Sequence, residues 1–199
     1  MGSRTITAVW NGPGPPPDLS KVPRPVWLPA DDEIGVSAGT RAVILSDERR
    51  ALALVDCVAY SKGFEFTISY RSRDDVPPRM LHIHPPPSPF DELSVRIVYH
   101  DGLRAASDEH GMAAMRMHYQ AAYEGKDPWT PAGPIVMPQR GGGGGKRYEY
   151  SFWCWPLPPD GPMTLTVQWD RANIPSTTVE IDASAIRRAG QSSKKLWTD

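Results

Sequence analysis

The side chains able to ligate a metal or act as a nucleophile are few in this chain: five histidines and two cysteines among 199 residues. His82 and His84 are two apart, so an extended backbone places both imidazoles on one side, where they could share a metal ion. The next acidic residues, Asp91 and Glu92, come only after four prolines, so no third ligand is supplied nearby. A second group, His110, Met112, Met115, Met117 and His118, combines thioether and imidazole donors suited to cuprous ion. Methionines filling an irregular gap in a core explain the same residues without a metal. No cofactor is expected.

Nucleophilic catalysis finds little support. A nucleophile elbow, which needs a serine on a turn from strand into helix, is not expected. Neither Cys57 nor Cys154 has a basic or histidine neighbour in sequence to lower its pKa. Ser107-Asp108-Glu109-His110 gathers the residue types of a triad, but a triad is assembled in space from separate elements. The carboxylate pairs at Asp31-Asp32-Glu33 and Asp74-Asp75 lie in turn-like, solvated stretches, where nothing raises a carboxyl group for acid catalysis.

The remaining chemistry is binding chemistry, and it concentrates between Arg140 and Pro162. Five glycines, Gly141 to Gly145, stand between Arg140 and the pair Lys146-Arg147. A phosphate-binding loop would need glycine where Arg140 stands, a hydroxyl where Arg147 stands, and a helix afterwards. Backbone amides flanked by those three cations could still cradle an anion. Ordering five glycines is entropically expensive, so a mobile connection between two strands is the expected role.

Behind the glycines the backbone must be a strand. Tyr148, Tyr150, Phe152 and Cys154 share one face, and Arg147, Glu149 and Ser151 share the other. Trp153 and Trp155 have the parity of the polar residues and should emerge on the outer face. They need a cover, because contiguous exposed aromatics are rare. The N-terminal arm or the C-terminal segment could supply it; otherwise the two tryptophans form a platform for a ligand or partner.

The elements that position these residues alternate in the same way. Residues 1–30 hold Gly12-Pro13-Gly14-Pro15-Pro16-Pro17 and then Pro23, Pro25 and Pro29, so they form an extended or disordered arm. Trp10, Val26, Trp27 and Leu28 are its only large apolar residues and the means by which it would dock. Strands are predicted at Ala42 to Leu45 and at 51–60, the latter apolar on both faces and hence central and covered on both sides. Further strands are predicted at Phe64 to Tyr70, Leu93 to Tyr99, Leu103 to Ala106, Ile135 to Met137, Met163 to Trp169 and Thr177 to Ile181. One or two helical turns fit between Met112 and Tyr123. Asp182 is the predicted N-cap of a closing helix at about 183–195, with Ile186, Ala189 and Leu196 as its apolar stripe. Hairpin spacing with little amphipathic helix predicts an all-β fold: one antiparallel β-sandwich over residues 31–199, jelly-roll or immunoglobulin-like.

Composition narrows the partners. At this length one domain is expected. A net charge of −1 offers no basic field for nucleic acid or an anionic membrane. No apolar run follows Met1-Gly2-Ser3-Arg4, so a reducing cytoplasmic location is expected, with no membrane span.

The string Arg140-(Gly)5, Trp153-x-Trp155-Pro156-Leu157-Pro158-Pro159-x-Gly161-Pro162, Trp169, Ile174-Pro175 and Ile181-Asp182, preceded by Gly63-Phe64-Glu65-Phe66-Thr67, resembles an uncharacterised bacterial protein family. The resemblance covers roughly residues 33 to 187 and implies no activity. The expectation is a non-enzymatic binding or structural module that contacts another protein or itself. Its contact surface would be the Trp153/Trp155 face with the glycine loop, using Arg140, Lys146 and Arg147. The alternative is a metal-dependent or small-molecule enzyme in the sandwich mouth, using His82, His84 and either His100 or His118.

Overall fold

The computed structural model describes residues 22–75, 93–107 and 111–197. Period-two apolar segments, each ended by glycine, proline or an acidic turn, fold as antiparallel strands in two facing sheets. The larger sheet joins β2 (Val36–Ser37), β4 (Arg50–Ala59), β5 (Phe64–Ser72), β9 (Arg147–Trp155) and β8 (Ile135–Gly144) in that order, and β3 (Ala42–Ser46) also pairs with β4. The smaller sheet runs β11 (Ile174–Asp182), β10 (Pro162–Trp169), β6 (Leu93–Tyr99), β7 (Arg104–Ala106). Of the two sandwich types expected, the immunoglobulin-like order is the one observed. The β4-β5-β9-β8 row takes the places of A-B-E-D, and β11-β10-β6-β7 those of G-F-C-C′.

The core lies between the sheets and is aromatic at the β5–β9 seam. Tyr148, Tyr150, Phe152 and Cys154 all point inward and are buried, as their shared parity predicts. Phe66 stacks on Phe152 at 5.4 Å between ring centroids, and Trp169 from the other sheet meets Tyr70 and Tyr150 edge-on at 5.5 and 5.3 Å. These are the offset and T-shaped geometries that ring quadrupoles favour.

Residues 51–60 are not covered on both faces. The register between β4 and β5 shifts between Leu54 and Asp56, a bulge that reverses the side-chain parity. Leu52 and Leu54 before it, and Cys57 and Ala59 after it, therefore all enter the same core. The two-sided apolar pattern is one face read through a one-residue slip.

The closing helix, α2 (Ala183–Gln191), is shorter than the predicted 183–195. Asp182 caps it, its side chain accepting from the Ser184 amide at 2.9 Å, and Ile186 and Ala189 are buried. Beyond Ser192 the chain extends: β12 (Lys194–Lys195) pairs with β1 (Glu33–Ile34). Leu196 therefore lies outside the helix and is exposed. A second helix, α1 (Gly111–Tyr123), follows β7 and packs outside the larger sheet against β8. No helix among the described residues is long and apolar enough to cross a membrane.

Candidate functional site

The glycine run is strand, not a mobile loop. Gly141 to Gly144 complete β8 and pair in register with Tyr150 to Arg147, and a two-residue turn, Gly145-Lys146, closes the hairpin. The reason is tertiary: β9 presents a full ladder of backbone donors and acceptors, and hydrogen bonding offsets the entropy that five glycines lose. At Gly143 and Gly145 the geometry requires glycine. Gly145 sits at φ 57°, in the left-handed region, and at Gly143 a Cβ would overlap the Arg147 carbonyl oxygen and come within 2.7 Å of the Tyr148 Cα. At Gly142 and Gly144 a Cβ would meet nothing.

Because β8 pairs only with β9 among the described residues, it is their edge of the larger sheet. In a two-residue hairpin the pair closing the turn is hydrogen-bonded and the pairs alternate from there. The amides and carbonyls of Gly141 and Gly143 thus point away from β9, toward the open side.

Arg140, Lys146 and Arg147 all belong to this hairpin but do not converge on one anion. Arg140 Nη2 donates to Glu65 Oε1 at 2.7 Å, and Arg147 is committed to Glu149, which Arg71 also approaches at 3.8 Å. The Lys146 carbonyl accepts from the Ser72 amide at 2.9 Å, tying the turn to β5. The Arg140 side chain is 77% exposed, so its ion pair with Glu65 contributes at most about 1 kcal/mol.

Trp153 is not a surface platform, for it is 1% exposed. It points outward from the larger sheet, as parity requires, but into a second small core with Trp27, Ala114, Ile135 and Met137. Leu28, Tyr60, Met115, Trp129 and Trp155 pack around this core partly buried, so Trp155 is no free platform either. The cover is the N-terminal arm, with α1 added to it. Trp27 is fully buried and its carbonyl accepts from Trp153 Nε1 at 2.9 Å. The α1 contribution is not legible in a segment whose apolar residues are small or methionine.

His118 holds this cover together. It is buried on α1, its Nδ1 2.9 Å from the Trp129 carbonyl and its Nε2 2.9 Å from the Pro23 carbonyl, so it bridges the arm and the segment after the helix. His100 lies elsewhere, exposed at the turn between β6 and β7, where its ring would stand 3.2 Å from a Cβ at Gly161. The structure does not bring His100 and His118 together. His82, His84 and His110 lie outside the described residues. Met115 enters the second core and Met117 is exposed. Among the described residues no three of His, Cys, Asp and Glu gather as a metal site.

The string Gly35-Val36-Ser37-Ala38-Gly39 carries the letters of the nucleophile-elbow motif, contrary to the expectation that the chain has none. Its context is wrong for one. Ser37 ends a two-residue strand, and its hydroxyl donates to Asp56 Oδ1 at 2.8 Å, with no helix following and, among the described residues, no histidine bonded to it.

Both cysteines are buried free thiols. Desolvation pushes the Cys57 thiol far up, and burial raises Cys154 to about 12 despite a 3.2 Å contact with the Tyr99 hydroxyl. Neither thiolate forms near neutrality. Alkylation by iodoacetamide at about pH 8 is therefore expected to be slower than for an exposed thiol by at least about a hundredfold, with both sites reacting at once in denaturant. Rapid labelling of the folded protein would show that one of these strands opens.

Comparison with protein-family models, with curated proteins and with solved structures finds no match for this chain.

Proposed function

We propose that the protein is a non-enzymatic cytoplasmic binding module that receives an extended segment of a partner protein as an added strand along β8. One observation carries the reading: the outer edge of β8 from Gly141 to Gly144 has no side chain to cover its outward amides and carbonyls. Sheet edges are normally blunted by charge, proline or a bulge. Here the bulge and Pro138 lie before the glycines, so among the described residues the edge is shielded at one end and bare along the rest. Strand addition takes affinity from main-chain hydrogen bonds, which a bare edge supplies at no steric cost. The metal-dependent alternative rested on His82 and His84, and the described residues add no ligand set to it.

A photo-crosslinking residue at position 142, with one at exposed Lys62 as control, tests the reading in cells that make the protein. Discrete adducts are expected from position 142 and not from position 62. Gly141→Pro, which removes an outward amide while leaving the β9 ladder, should abolish them without changing the melting temperature by more than a few degrees. Adducts that survive Gly141→Pro, or equal labelling at both positions, would remove strand addition.

A further inference from the structure

We propose that a cleft at one end of the sandwich, two strands from the glycine edge, binds a neutral, hydroxyl-rich small molecule of the size of a mono- or disaccharide. The cleft is about 560 Å³ and lies between the β3–β4 turn, the end of β5 and the turn after β10. That volume falls within the range of about 300–1,000 Å³ typical of small-molecule sites.

The polar groups lining the cleft divide into those already engaged within the chain and those left free among the described residues. Asp47 accepts from the amides of Arg49 and Arg50 and from Arg50 Nε, each at 2.9 Å. Those bonds, the Arg49 amide foremost, hold its carboxyl below the usual carboxylate range. Arg50 also donates through Nη1 to the Ala172 carbonyl, and Arg49 is paired with Asp74. The guanidinium groups thus face carboxylates of this chain, and their charges cancel locally.

What remains is polar and, among the described residues, carries one uncompensated charge, the carboxylate of Glu48 on its exposed turn. The Tyr70 hydroxyl, the hydrogen of Ser72 Oγ, the Asn173 side-chain amide and the Glu48 carboxylate have no hydrogen-bond partner among the described residues, and all four residues line the cleft. Tyr70 forms the floor, its ring braced edge-on by Trp169. Asn173 stands at the rim with φ 52°, a left-handed conformation that asparagine tolerates better than most residues.

This combination discriminates between ligand classes. An anion entering the cleft would meet Asp47, Glu48 and Asp74, and a cation would meet two guanidinium groups and find only the solvent-exposed Glu48 carboxylate unpaired among the described residues. A hydroxyl group both donates and accepts, so vicinal hydroxyls can satisfy a carboxylate, an amide and two hydroxyls together without bringing charge. The cleft shares no residue with the β8 edge.

The test is amide-resolved NMR titration of the full chain with glucose, galactose, mannose, N-acetylglucosamine and maltose, and with phosphate, citrate and spermidine as charged controls. Saturable shifts confined to residues 47–50, 70–74 and 172–173 are expected with at least one neutral sugar. Asn173→Gly, which keeps the left-handed backbone, and Glu48→Ala, on an exposed turn, should each weaken that binding about tenfold. Both variants should melt within a few degrees of the unaltered protein, so a loss of binding cannot be a loss of fold. Absence of saturable shifts with every sugar, shifts produced only by the charged controls, or binding indifferent to both variants would overturn the proposal.

Discussion

Trp27→Ala is expected to lower stability by about 3–5 kcal/mol, the cost of deleting a large buried aromatic side chain. Trp27 is fully buried although it belongs to a proline-rich segment with little other apolar content. Its ring fills the second core beside Trp153 and meets His118 edge-on at 6.4 Å, and its carbonyl receives the Trp153 indole hydrogen. Removing it leaves Ala114, Ile135 and Met137 around a void. The main core between the sheets is a separate cluster and should persist. Near-ultraviolet circular dichroism from Trp153 should therefore fall while the far-ultraviolet strand signal remains, and proteases should cleave at residues 22–31. Trp27→Phe should cost much less. The Trp27 Nε1 is buried with no hydrogen-bond partner among the described residues, so phenylalanine relieves an unsatisfied donor while keeping most of the ring. A loss below about 1 kcal/mol for Trp27→Ala, with unchanged proteolysis, would mean that the arm does not dock in solution.

The second large effect separates glycines that look identical in sequence. Gly143→Ala is expected to cost about 2 kcal/mol or more, because the new methyl group overlaps backbone atoms of Arg147 and Tyr148, which cannot swing aside as a side-chain tip could. Gly142→Ala meets open space at a strand position and should be neutral or stabilising by up to about 1 kcal/mol, through reduced freedom of the unfolded chain. Urea unfolding of the two variants measures the difference directly. A mobile loop predicts equal, small effects at both positions. The observed pairing of Gly143 with Tyr148 predicts a gap of at least about 2 kcal/mol.

The contrast has a bearing on function. A flexible glycine loop can adapt to many anions but holds none in place, whereas a glycine edge strand is fixed by β9 along one side and, among the described residues, open along the other. Preorganisation of this kind reduces the ordering cost of an incoming strand.

Local alternation was enough to identify most strands, the inward face of β9, the Asp182 cap and the sandwich class. Period-two burial and capping are written within a few consecutive residues, and no distant partner is needed to recognise them. What consecutive residues cannot carry is the pairing between segments far apart. The bulge in β4 depends on its register against β5, and the strand state of Gly141 to Gly144 on the donors of β9. The burial of Trp153 depends on an arm 126 residues away, brought there by one indole hydrogen bond and by His118. The cleft around Arg50 joins side chains from residues 47 to 173, and only the packed sandwich makes them neighbours. Sequence determined which residues are apolar and on what period; tertiary structure decided which surfaces stay open, because exposure is a property of what packs against a residue.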